Sequence, residues 1–138
     1  MPPASPRLRR PAMSLATPRF LILRPGDQAE LSRRYTNEDI DRWRQLAGLQ
    51  AAPRQVPEPL IAALFSYLLG ERLPGHGTNY LKQHMHFPQA ADVGETLTAR
   101  VAISRLRPDK HLVNLDTSCH GADDRLICEG QALVLFRC

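Results

Sequence analysis

The chain predicts an α+β fold in which a curved antiparallel sheet wraps around one long central helix. Three features carry that expectation. The run Leu60 to Leu69 is nearly all apolar and is bounded by Glu58 and Glu71, which suits a buried helix and is too short for a membrane span. Four strand-like runs separated by turn residues fill the second half. Across 138 residues, 43% are hydrophobic and 23% charged, so one domain can bury roughly two-thirds of its unfolded surface without disulfides.

That domain is expected over residues 19–138, behind a basic, proline-rich tail. Residues 1–18 hold Pro2, Pro3, Pro6, Pro11 and Pro18, which remove backbone donors and interrupt any helix, so the tail reads as disordered. An overextended start, with Met13 as the natural initiator, fits the same residues. A targeting role is the third reading, although a transit peptide needs the amphipathic helix that the prolines disfavour.

The net charge of +4 comes from the same region. Lysine and arginine number 18 against 14 acids, and Arg7, Arg9, Arg10 and Arg19 account for the whole excess. The remainder is neutral, so a nucleic-acid-binding domain loses its electrostatic argument. An aromatic content of 6% also disfavours a base-stacking platform. Cys119, Cys128 and Cys138 are odd in number and form no C-x-x-C. Neither a disulfide framework nor a zinc site follows, and a reducing cytoplasm is expected.

Taken in order, Arg24-Pro25-Gly26-Asp27 is a turn, and Gln28 to Tyr35 is a short strand with Ala29 and Leu31 on one face. Thr36 supplies a hydroxyl cap and Asp39 a carboxylate three residues on, so a helix runs from Asn37 to Ala47 and stops at Gly48. Pro57-Glu58-Pro59 opens a second helix, Glu58 to Gly70, about 20 Å long. Its apolar circumference requires something to wrap it. Asn79 to Phe87 then alternates, with Leu81, Gln83, Met85 and Phe87 on one face and Tyr80, Lys82, His84 and His86 on the other. Thr96 to Arg105, His111 to His120 and Leu126 to Arg137 follow, joined by turns at residues 107–110 and 121–124. Such strands make an antiparallel meander.

Several residues bear chemistry. Glu58 at a helix start compensates the macrodipole. His84 and His86 share a strand face, but no third ligand is evident and no metal is expected. His76 lies in an exposed turn, and Gly75-His76-Gly77 is too short to cradle phosphate. Gln83, polar on the presumed inner face, needs a buried partner. No cofactor motif and no membrane segment are present.

The segments Leu68-Leu69-Gly70-Glu71-Arg72-Leu73-Pro74-Gly75-His76-Gly77-Thr78-Asn79-Tyr80-Leu81, Gln83 and Phe87, Asp92-Val93-Gly94-Glu95-Thr96-Leu97-Thr98, and later Lys110, Asp116 to Cys119 and Glu129-Gly130-Gln131-Ala132 resemble the MaoC-like hot-dog family. Tyr35 to Ile40 resembles its helix entry, so the likeness spans about residues 20 to 138. This family comprises (R)-specific enoyl-CoA hydratases and 3-hydroxyacyl-thioester dehydratases, lyases of fatty acid metabolism. The resemblance implies a homodimer, or a heterodimer with a homologue, pairing edge to edge. An acyl-CoA or acyl-carrier-protein thioester would enter between subunits, with Gln83, Leu60 and Tyr80 as substrate-binding candidates.

The family's catalytic loop reads approximately G-D-x-N-P-x-H, its Asp and His activating water. Here Gly48-Leu49-Gln50-Ala51-Ala52-Pro53-Arg54-Gln55 stands in its place. Leu49 occupies the Asp position and Gln55 falls near the His, and neither exchanges a proton near neutral pH. The loop is also shorter than the family's. Pro57 and Pro59 lack the N–H with which a helix start polarises a thioester carbonyl. The expectation is a weak or inactive hydratase, with a thioesterase using Glu58, or a non-catalytic partner of an active homologue, as alternatives.

Overall fold

The computed structural model describes residues 17–137. The elements are α1 (Pro18–Leu21), β1 (Gln28–Arg34), α2 (Asn37–Ala47), α3 (Glu58–Glu71), β2 (Thr78–His86), β3 (Thr96–Arg107), β4 (Leu112–His120) and β5 (Leu126–Phe136). The strands form one antiparallel sheet in the order β1-β3-β4-β5-β2. Helix α3 packs on one face of it, so the expected α+β hot-dog architecture is present.

Of the expected tail, residues 1–16 lie outside the described residues, as does Cys138. Thr17 and Pro18 are ordered: the Thr17 hydroxyl accepts the Phe20 N–H and Pro18 opens α1. Phe20 anchors this turn, 1% exposed between His111 and Phe136. Structure therefore starts before residue 19, because a buried ring two residues on holds it.

The α2 start is the capping box that the sequence predicts. The Asp39 N–H donates to the Thr36 hydroxyl at 3.2 Å, and the Thr36 N–H to the Asp39 carboxylate at 2.9 Å. Gly48 takes the left-handed conformation, φ 76°. Of the apolar residues at helical spacing, Ile40 is buried but Leu46 is 90% exposed, so only the front of α2 reaches the core.

Ile61, Leu64, Phe65, Leu68 and Leu69 form the buried face of α3. They meet alternate residues of the central strands, among them Leu97, Val101, Leu115 and Val134. Each such side chain contributes about 1.5–3 kcal/mol. The wrapping is one-sided, since Ala63, Ser66 and Tyr67 remain exposed.

Two expectations need correction. Only β3, β4 and β5 run as a meander; β2 crosses over to the far edge beside β5, while β1 flanks β3. Within β2 the register shifts between Tyr80 and Lys82, and this bulge at Leu81 inverts the alternation before it. Tyr80 opposes Val134 and Gln83 opposes Ala132, so Tyr80 faces α3 together with Gln83 and Met85, and Leu81 does not belong to that row. Gly130 permits the close approach of β2, for a Cβ there would collide with the His84 carbonyl.

Candidate active site at the front of α3

Helix α3 begins at Pro57, with no side chain capping it. Pro59 has no N–H, and the Leu60 N–H is taken by the Pro57 carbonyl at 3.0 Å. Glu58 therefore keeps the free donor of the first turn, beside its own exposed carboxylate. The Tyr35 hydroxyl donates to the Leu60 carbonyl at 2.7 Å, tying the exit of β1 to this turn. Burial pushes the Tyr35 phenol up, outweighing the opposing pull of Arg33.

Behind the helix start stand two thiols. Cys119 and Cys128 oppose each other across β4 and β5 and are wholly buried. Burial, then Cys128 and Glu95, push the Cys119 thiol up to about 12. Burial, then Glu58 and Glu129, push Cys128 to about 11, against a hydrogen bond from the His86 backbone. Both stay protonated at neutral pH, inert as nucleophiles. Their partners place Glu58, Cys128 and the end of β2 together.

Residues 48–57 link α2 to α3. Gln55 bridges to Asp92, and the Val56 N–H donates to the Ala91 carbonyl at 2.9 Å. The receiving loop is locked in turn by Glu95, whose side chain is 8% exposed. It accepts the Ala122 N–H at 2.7 Å, the Asp92 N–H, and the Arg125 guanidinium at 2.7 Å. Burial pushes the Glu95 carboxyl up, but Arg125 and the two N–H groups outweigh it and hold it below its usual value.

The sequence-predicted residues divide accordingly. Glu58 and the half-buried Leu60 lie at the front of α3. Leu49, 43% exposed, follows the α2 cap, and its carbonyl accepts Arg44 at 3.1 Å. Gln55 is exposed beside Asp92. Tyr80 bonds Ser66 of α3, and burial raises its phenol. Gln83 is exposed and has no buried partner to find, because β2 is an edge.

None of these six residues lines the cavity of about 770 Å³, which lies on the outer sheet face among His84, His86, Asp116, His120 and Glu129. Among the described residues no group of three or more His, Cys, Asp or Glu is arranged to hold a metal. Their helices include none long and apolar enough to cross a membrane.

Sequence reasoning missed Tyr35 and the Glu95–Arg125 lock. Tyr35 and Ile40 occupy the two positions of a hydrophobic staple around the Thr36 cap, and both are buried. That signal was readable. The lock joins residues 30 apart and left none.

No protein-family model matches the chain. The (R)-specific enoyl-CoA hydratase of Aeromonas caviae is 32% identical over 126 residues, 81% of this chain and 94% of that protein. Its counterpart in Rhodospirillum rubrum is 30% identical, over 84% of this chain and 90% of its own. The solved structure of the Aeromonas caviae (R)-hydratase superposes with a TM-score of 0.77, covering 83% of this chain and 98% of that one. Unliganded R-hydratase PhaJ1 from Pseudomonas aeruginosa, 23% identical over 86% of this chain and 84% of its own, gives 0.78 and shares the fold. With superposition over nearly the whole of the solved Aeromonas caviae hydratase and identity of 30% or more sustained across nearly the whole of these two relatives, the chain belongs to the MaoC-like hot-dog family of (R)-specific enoyl-CoA hydratases.

Proposed function

We propose that the protein binds an acyl thioester, carried by CoA or an acyl-carrier protein, at the front of α3, between two copies paired through β2 or between one copy and a homologue. Leu60, Tyr80 and Gln83 contact the acyl thioester in this reading. Hydration is weak or absent. The observation that carries this is the linker 48–57, which contains no Asp, Glu or His and is strapped to residues 91–92. Leu49 and Gln55 stand where the family carries its acid–base pair, and each such group is typically worth about a hundredfold to ten-thousandfold. A cytoplasmic location and a place in fatty acid metabolism belong to the same reading.

Glu58 supports a second reading. Its carboxylate lies near enough to Cys128 to act on the thiol electrostatically, at the place where a thioester carbonyl would sit, so hydrolysis with Glu58 as base is the alternative chemistry. A chain silent in both reactions is the non-catalytic partner of an active homologue.

Crotonyl-CoA separates these. Loss of the conjugated thioester absorbance reads hydration, and release of thiol reads hydrolysis. The expected result is measurable crotonyl-CoA binding with little of either. Rapid hydration would overturn the proposal, and hydrolysis abolished in Glu58→Gln would replace it by the thioesterase.

A further inference from the structure

We propose that the end of the molecule opposite the candidate site docks on an anionic lipid surface. Leu21 and Ile22 enter the headgroup boundary, and the cations around them lie against the lipid phosphates. This docking is independent of what α3 binds.

Phe20-Leu21-Ile22-Leu23 is an apolar run of which the fold buries only the ends. Phe20 is 1% and Leu23 8% exposed, whereas Leu21 is 57% and Ile22 74% exposed. The knuckle between the two anchors is fixed by its own backbone. The Leu21 N–H donates to the Thr17 carbonyl and the Leu23 N–H to the Phe20 carbonyl, each at 3.0 Å. The Arg24 guanidinium donates to the Leu21 and Leu23 carbonyls at 2.7 and 2.9 Å. Just beyond, the Gly26 N–H reaches the Ile103 carbonyl at 2.7 Å and ties the turn to β3. Leu21 and Ile22 therefore have no route to the core. A single exposed aliphatic residue is ordinary. An adjacent pair on a fixed convex turn, ringed by cations, is the combination that interfacial binding uses.

The ring of cations is built from several elements. Arg19 and Arg24 flank the pair in sequence, and both are exposed. The Phe20 ring lies against His111 and Phe136, whose chain neighbours Lys110 and Arg137 are exposed as well. Arg72 stands exposed at the end of α3. The acids of this end are Asp109, Glu71, which is 3.7 Å from His76, and Asp27, which accepts the Arg24 N–H at 2.9 Å. Cations outnumber them, and the sequence before Thr17 adds Arg7, Arg9 and Arg10 and no acid. A convex apolar point with positive charge on all sides fits a surface that yields to the point and is negative around it. An anionic bilayer interface has both properties, whereas a folded acidic partner would have to offer a matching pocket.

Docking at this end leaves the thioester site open. The 14 residues of α3 set Glu58 about 20 Å from the Arg72 end. That end is joined to α1 by the Gly75 N–H on the Leu69 carbonyl and by Arg19 on the His76 carbonyl, both at 3.0 Å.

The test is co-flotation of the full chain with vesicles of phosphatidylcholine alone and of phosphatidylcholine and phosphatidylglycerol in equal parts. Binding is expected on the anionic vesicles, and it should weaken when sodium chloride is raised to about 1 M, where the screening length falls to about 3 Å. Leu21→Ser/Ile22→Ser should reduce it about tenfold or more, with an unchanged thermal melt and unchanged crotonyl-CoA binding, because neither side chain is buried. Lys110→Gln/Arg137→Gln should also reduce it about tenfold or more, since each cation near an anionic surface contributes about fivefold.

Insertion is read separately. Emission of an Ile22→Trp variant, taken as the difference from the wild type with its single Trp43, should be quenched by brominated acyl chains in the anionic vesicles. Absence of quenching overturns the proposal, as does equal binding to both vesicles or binding that survives Leu21→Ser/Ile22→Ser. No vesicle binding, with loss of self-association in that double variant, overturns it too and assigns the pair to a contact between copies.

Discussion

The two edges of the sheet differ in how they are finished. On β1, Ala29 and Leu31 pack against the core. The outer side chains are tied to β3 by Glu30–Arg100 at 2.8 Å and Ser32–Thr98 at 3.0 Å. Arg72, after α3, donates to the Glu30 carbonyl. On β2 every residue from Asn79 to His84 is exposed, including Tyr80 at 38% and Leu81 at 53%. An edge whose outer side chains are tied to the next strand resists pairing with another chain, whereas an edge left untied keeps a row of N–H and C=O groups open to it. Strand β1 is tied into its own chain, and β2 is the edge on which the proposed pairing rests.

The strongest way to break this contrast is to detach β2. Gly130→Val should drive a side chain into the His84 carbonyl and cost about 3 kcal/mol, read as a lowered urea midpoint. As the control, Gly70→Ala in α3 meets nothing within 4 Å and should gain about 0.5–1 kcal/mol.

On the finished side, Glu95→Gln should cost about 2 kcal/mol, since a buried carboxylate holds three donors there. Because the folded carboxyl is held below its usual value, its stabilisation is complete above about pH 4.3 and is lost as pH falls through the folded value. Thermal melts of wild type against Glu95→Gln should therefore converge in acid; a constant gap from pH 7 to pH 3 would refute the assignment.

The smallest effect on stability should be the most telling for the edges. Leu81→Lys should leave the melting temperature within a few degrees while dissociating the paired species in analytical ultracentrifugation. Ser32→Lys on β1 should leave association unchanged. The reverse pattern would assign the interface to β1.

How legible each part was follows from the range of the interactions involved. The α2 capping box, the start of α3 after Pro57 and the two turns of the meander rest on neighbours within four residues, and all were readable. The bulge at Leu81 was not, because it is defined by the partner strand: the alternation of Tyr80 to Phe87 reads smoothly in the chain and breaks only when Val134 and Leu133 are set against it. Gln83 was read as needing a buried partner because a polar residue in an alternating strand implies one covered face. The edge position of β2 removed that cover. At the candidate site the sequence located Glu58 and the replaced loop, whereas the Tyr35–Leu60 tie and the Glu95–Arg125 lock required the fold.

The sequence by itself determined the elements from β1 onward, the α2 cap and the family, since these depend on local hydrogen bonding and on the spacing of apolar residues. Only the tertiary structure decided which strand lies at which edge, which face of β2 meets α3, and which charges share an end of the molecule. Those outcomes are set by contacts between residues far apart in the chain, where packing and backbone pairing outweigh any local preference.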